Sequence, residues 1–207
     1  MYAVNPSQAT ADDPFDLSER HFTFSYGFSF NVIGAISTNP NAGYKTRQAF
    51  TTENAFLLFV PFNVKQTTGF GVEIGTTAIT YTMQQTTNPD SIYPVNNETY
   101  NYTSIFPHFY FNGLVVGAVI GLSPTSPTTG SPLKTAIIPR VGASIPITDE
   151  SWGRLNFNFL LGYAFDGVYE KGSDYRYNFT PNVNDPSPRP ITLSLGITLL
   201  MRAPIFY

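Results

Sequence analysis

The sequence has no cysteine and little charge. Without thiols there is no disulfide scaffold and no thiolate zinc site. Charged residues make up 12% of the 207 residues, against about 25% in an average soluble domain. The formal net charge of -3 leaves no basic footprint for nucleic acid. Only two histidines are present, His21 and His108, which excludes a multi-histidine metal site. No apolar run approaches the roughly 18 residues of a transmembrane helix. The most apolar stretch, Leu114 to Leu122, is about half that length and contains Gly117 and Gly121. No segment reads as helix, and no cofactor motif is found.

What is abundant is aromatic: 18 Phe and 13 Tyr, beside 17 Pro and 16 Gly. That richness excludes disorder, and one domain is the expectation at this length. The start, Met1 to Pro6, lacks the basic residues and apolar stretch of a signal peptide. A cytosolic chain, or a mature chain with an added initiator Met, would both begin so. Residues 1–20 concentrate charge at Asp12, Asp13, Asp16, Glu19 and Arg20 and are expected to be an extension before the folded part, 21–207.

From Phe22 the pattern has period two. Phe22, Phe24, Tyr26, Phe28, Phe30 and Val32 alternate with His21, Thr23, Ser25, Gly27, Ser29 and Asn31. A strand points successive side chains to opposite faces, so one face is apolar and the other small and polar. Similar runs recur at Phe50–Phe62, from Gly69, at Tyr100–Phe111, Leu114–Leu122, Lys134–Ile147, Leu155–Phe165 and from Ile191. In the third run the apolar set shifts from Phe70, Val72 and Ile74 to Ile79, Tyr81 and Met83, which predicts a bulge near Thr76-Thr77. Asn112-Gly113 between apolar runs predicts a type I′ hairpin turn. The connections then alternate: short near 61–67, 112–113 and 148–151, long near 37–48, 84–99, 123–132 and 167–189. Eight strands result.

A soluble barrel would point the apolar face inward, and a membrane barrel would point it to lipid. The polar faces are mostly Gly, Ser, Thr and Asn, which fit inside a narrow eight-stranded barrel better than they suit a water-facing surface. The strand charges Glu53, Glu73, Lys134, Arg140, Arg154, Asp166 and Arg202 all lie opposite the apolar set of their strand. They are the candidate luminal charges, either a selectivity ring or an internal salt-bridge network. The inward glycines leave room for a narrow channel. Inward Leu57, Phe59, Leu160 and Leu200 would alternatively line a small apolar pocket.

The last run continues its alternation through Leu199, Met201, Ala203, Ile205 and Tyr207. A terminal aromatic with apolar residues at every second position before it resembles the assembly signal of bacterial outer-membrane proteins. The whole pattern resembles the small eight-stranded barrels of the OmpA and OmpX type. The resemblance implies an all-β, antiparallel, up-and-down transmembrane barrel in the bacterial outer membrane. It implies contact with outer-membrane lipids, lipopolysaccharide and the barrel-assembly machinery, and a structural, binding or narrow solute-channel role. Some small outer-membrane barrels modify lipid A with a His and a Ser. Here His108 stands in Phe106-Pro-His-Phe-Tyr110, with Ser104 four residues before it, and a structural role for His108 is the reading adopted. A soluble β-barrel or jelly-roll binding module stays open as an alternative, as does a lipid A-modifying enzyme. The N-glycosylation triplets at Asn97, Asn101 and Asn178 are read as chance matches in polar segments.

Overall fold

Alternating side chains and turn residues at fixed intervals leave the backbone one regular option, an antiparallel meander. The computed structural model describes residues 24–38, 44–63, 66–85, 96–125, 135–165 and 189–203. Its strands are β1 (Phe24–Ser37), β2 (Tyr44–Pro61), β3 (Thr68–Gln85), β4 (Asn96–Phe111), β5 (Leu114–Thr125), β6 (Ala136–Glu150), β7 (Gly153–Tyr163) and β8 (Pro190–Ala203). Each pairs antiparallel with its sequence neighbour, and β8 pairs with β1 to close the barrel. No helix is found among the described residues.

The Asn112-Gly113 turn has positive φ at both positions, 48° and 91°, as the hairpin pattern required. Strands β2 to β4 run further than their apolar pattern, into segments that read as loops. Ladder hydrogen bonds need no apolar face, so a strand that leaves the membrane carries polar residues on both sides and loses its signature.

The pairing shows how the sheet is sheared. A path across the strands from Ser25 passes Phe59, Gly71, His108, Gly117, Arg140, Gly162 and Thr192. It returns to β1 at Ala35, ten residues beyond its start. With about 3.3 Å per residue and a tilt near 40°, each residue climbs about 2.5 Å along the axis and each step between strands about 3 Å.

The outer wall is apolar. Phe24, Tyr26, Phe28, Phe30, Val32 and Ile36 on β1 are exposed, as are Phe157, Phe159 and Leu161 on β7 and Ile191, Leu195 and Ile197 on β8. From Phe24 to Ile36 this belt is about 30 Å tall by the same geometry, comparable to the roughly 25 Å apolar band of outer-membrane barrels. Phe62, Phe111 and Trp152 ring the short-turn end, and Phe50 and Phe165 the other. A soluble barrel would set all of these against water, so the belt makes this a transmembrane barrel.

One expectation is corrected. Strand β3 pairs with β4 without a shift from Thr68↔Phe111 to Met83↔Asn96. Ile79 therefore points inward and is 1% exposed. The irregularity lies between β2 and β3, where β2 carries one residue more between Gln48↔Tyr81 and Asn54↔Thr76. The polar outward residues Thr76 and Thr80, not a bulge in β3, produced the apparent change of face. The side chains of Tyr81 and Met83 lie outside those described.

Phe30 sits at mid-belt. Phe30→Arg is expected to lower the unfolding free energy by about 2–4 kcal/mol, and Phe62→Arg at the rim by under about 1 kcal/mol. Urea titration of the protein folded into vesicles measures both.

Candidate luminal site

The interior of an eight-stranded barrel is just wide enough to be filled by side chains. Here large inward residues face glycines on the neighbouring strands. His108 on β4 pairs with Gly71 on β3 and Gly117 on β5. A Cβ on Gly71 would stand 2.4 Å from His108 Nε2. Phe59 fills the place beside Gly69, Tyr102 that beside Gly121, and Arg140 with Thr192 that beside Gly162. At these positions the glycines are matched to the side chains beside them. At Gly27, Gly75 and Gly142 the nearest atom is instead a backbone carbonyl oxygen of the adjacent strand.

The candidate luminal charges separate into two levels. At the upper level Arg140 Nη1 donates to Glu53 Oε2 at 2.9 Å, with side chains 2% and 6% exposed. Ser194 Oγ donates to the same oxygen at 3.4 Å. The Arg140 guanidinium carbon lies 5.7 Å from the Phe106 ring centroid, a cation–π contact. Glu73 faces the same interior, and its Oε2 accepts from Ser29 Oγ at 2.6 Å. β6 supplies the cation and β2 and β3 the carboxylates, which the closed sheet brings across the lumen.

The lower level closes the short-turn mouth. Asn63 organises the β2–β3 turn: its Oδ1 accepts from the Thr67 amide at 2.9 Å and its Nδ2 donates to Thr67 Oγ1 at 2.7 Å. The turn swings Gln66, with φ of 51°, underneath the barrel, where it is buried. Arg154 Nη1 donates to the Gln66 carbonyl at 3.2 Å and Nη2 to Asp149 Oδ2 at 2.8 Å. Arg202 Nε donates to Gln66 Oε1 at 3.4 Å, and its two Nη atoms reach Asp149 and the Glu150 carbonyl. Gln66 had no signal in the pattern because it lies in a turn, and Asp149 had none because it lies at the end of β6 in a polar segment that read as one.

Between the levels is a cavity of about 30 Å³, room for a few waters at most. Leu57, Phe59, Leu160 and Leu200 line it together with His108 and Tyr110. Its polar side is chained: Tyr110 OH donates to the Ser144 carbonyl (3.3 Å), Ser144 Oγ to Asn158 Oδ1 (2.8 Å) and Asn158 Nδ2 to Thr198 Oγ1 (2.6 Å). His108 Nδ1 donates to the Phe106 carbonyl at 3.2 Å, and the two rings stack at 4.7 Å. Above the Glu53–Arg140 pair the lumen is packed with Ile33, Ile79, Tyr100, Tyr102, Val119 and Ile138, all buried.

Among the predicted residues, Glu53, Arg140 and Arg154 are buried inside, Glu73 faces the lumen and Arg202 sits at the mouth. Lys134 and Asp166 lie outside the described residues, as do His21, Ile205, Tyr207 and the extension 1–20. Leu199 and Met201 are on β8, paired with Phe28 and Tyr26 of β1. Among the described residues no group of His, Asp and Glu is placed to hold a metal ion.

No protein-family model matches the chain, and no curated protein sequence matches it. Three solved structures are similar in shape. The outer membrane protein AlkL, determined by solid-state NMR in lipid bilayers, shares 15% identity over 90% of this chain and 93% of its own, with a TM-score of 0.48. The attachment invasion locus protein Ail of Yersinia pestis shares 10% over 88% and 100%, at 0.41. The outer membrane protein OprG of Pseudomonas aeruginosa shares 7% over 87% and 94%, at 0.43. These likenesses concern the fold and carry no residue roles to this chain. The chain is an eight-stranded barrel of the outer-membrane type. An even strand number, a lipid-facing belt and short turns on the side of both β1 and β8 ends mark that short-turn side as periplasmic.

Removing one partner of a buried pair strands the other. Arg140→Met is expected to cost about 3–5 kcal/mol, and adding Glu53→Leu to recover most of it. Urea unfolding of the two single variants and the double variant measures the coupling.

Proposed function

We propose that the protein is a plugged outer-membrane barrel with a structural and binding role, acting through its lipid-facing wall and its extracellular end. The observation that carries this reading is the filled lumen. The Gln66–Arg154–Arg202–Asp149 cluster stops the periplasmic mouth. The Glu53–Arg140 pair crosses the middle. The buried Ile33, Ile79, Tyr100 and Ile138 occupy the space above it. An ion entering from either side meets packed side chains, which weighs against the solute-channel reading. The described luminal charges are engaged in two clusters instead of standing as a ring of free groups.

The reading is also non-enzymatic. His108 is buried beside Gly71, Gly117 and Phe106 and borders the small luminal cavity. Its Nδ1 is engaged by a backbone carbonyl, and no reaction partner is in the set of groups bonded to it. Outer-membrane lipids, lipopolysaccharide and the barrel-assembly machinery are the partners proposed, consistent with the belt and with the alternation on β8.

Conductance across a planar bilayer tests the plug. The wild-type protein is expected to give no current above the lipid background. Replacing Ile33, Ile79 and Ile138 by glycine, with Arg140→Ala in the middle and Gln66→Gly and Arg154→Ala at the mouth, is expected to open measurable conductance. A steady wild-type current would refute the plugged reading.

A further inference from the structure

The seam between β6 and β7 parts before the belt ends. The two strands pair as far up as Arg140↔Gly162, and above that row the described residues give no pair between Pro139 and Tyr163. The neighbouring ladders continue, β5–β6 to Gly121↔Ala136 and β7–β8 to Tyr163↔Ile191. Pro139, directly above the last pair, has no N–H to offer a partner strand. A recess of about 660 Å³ follows the seam along the outer wall. Val116, Pro139, Val141, Leu161, Tyr163 and Phe165 line it, with Ile191 and Thr38 at its upper end. Behind it Ile138 and Ala164, both buried, fill the luminal side.

By the climb derived above, Val116, Leu161 and Tyr163 lie about 12, 18 and 23 Å above Phe24, in a belt about 30 Å tall. The recess therefore runs from mid-membrane up through the extracellular half. The rings of Tyr163 and Phe165, 4.7 Å apart, wall its upper part, where the aromatic girdle of a membrane barrel belongs. Arg189 precedes β8, two residues from Ile191 and on the same outward side by the alternation of that strand. It lies about 31 Å above Phe24, at headgroup level, and its side chain is exposed. The Arg189 carbonyl accepts from Thr38 N at 3.2 Å and from Thr38 Oγ1 at 3.0 Å, which sets it beside the top of the recess. Among the described side chains the acidic ones, Glu53, Glu73, Asp149 and Glu150, lie in the lumen or at the periplasmic end.

We propose that this recess seats one lipopolysaccharide molecule of the outer leaflet, with an acyl chain along the β6–β7 seam and a phosphate facing Arg189. Depth and charge select the occupant. An apolar trough at this height is filled by an alkyl chain, and the guanidinium above it pairs with an anionic headgroup. Inner-leaflet phospholipid meets the periplasmic half of the wall and does not reach the recess. A second copy of the chain is opposed by the same charge. A two-fold along the membrane normal brings two Arg189 side chains to one height at the shared rim. The proposal rests on the wall-binding role proposed above and names where that binding occurs; it does not depend on the plug.

The folded full chain in mild detergent is titrated with rough lipopolysaccharide, and the bound fraction is read by native mass spectrometry. Phosphatidylglycerol, anionic with two acyl chains, is the second probe. The wild type is expected to bind one lipopolysaccharide, and to bind it more tightly than phosphatidylglycerol. Arg189→Glu, which reverses the charge at the rim, and Val141→Trp, which fills the recess, are each expected to weaken that binding about tenfold. Ile145→Trp, outward on the same strand in the periplasmic half, is expected to keep wild-type affinity. Heat-modifiable gel migration verifies that each variant is folded. A folded wild type that binds no lipopolysaccharide overturns the proposal, as does equal affinity for the two lipids. Wild-type affinity in either recess variant, or an equal loss in Ile145→Trp, overturns it as well. Conductance tests the plug separately: a conducting wild type that binds lipopolysaccharide at this seam refutes the plug and supports the seat.

Discussion

A backbone amide in hydrocarbon must find its partner within the protein, because lipid offers none. The rest of this structure depends on that constraint. It requires the last strand to pair with the first, so the fold is a closed barrel with no edge. It sets the period of the sequence at two, with lipid and lumen on alternate sides of every strand. The closed sheet is sheared by ten residues around the barrel, and that register sets the height of each side chain.

Closure with eight strands creates a second constraint, a narrow interior. Side chains there must fit each other, and they do so by setting bulk against glycine: His108 against Gly71 and Gly117, Phe59 against Gly69, Tyr102 against Gly121. Charges admitted to such a space need partners. Glu53 and Arg140, distant in sequence, find one another across the lumen. Arg154 and Arg202 converge on Asp149 and on the backbone and side chain of Gln66 at the mouth. The result is a barrel held from inside as well as by its ladder.

Much of the fold was legible. Alternation marked all eight strands, Asn112-Gly113 marked one turn, and the opposite parity of the strand charges marked the two faces. The misreading at Ile79 shows where this method stops. Alternation reports the environment of a face only while that face stays in one environment. Above Ile74 the outward residues of β3 turn polar and the inward ones apolar, so parity appears to reverse though the strand runs straight. The same inversion hid Tyr100 and Tyr102, which cap the lumen. The packing at Gly69, Gly71 and Gly121 was hidden for a related reason. An absent side chain looks like space until the register shows whose ring lies beside it.

By itself, the sequence determined the architecture: strand number, the identity of the lipid face, and the sidedness of the turns. These follow from local periodicity and turn chemistry, which act over a few residues. Only the tertiary structure decided which side chains pack beside the glycines, which charges pair, and that Gln66 and Asp149 meet at the floor of the lumen. Those facts rest on register between strands and on turns folding beneath the barrel. Register couples residues as far apart as Glu53 and Arg140, and no local pattern records such a distance.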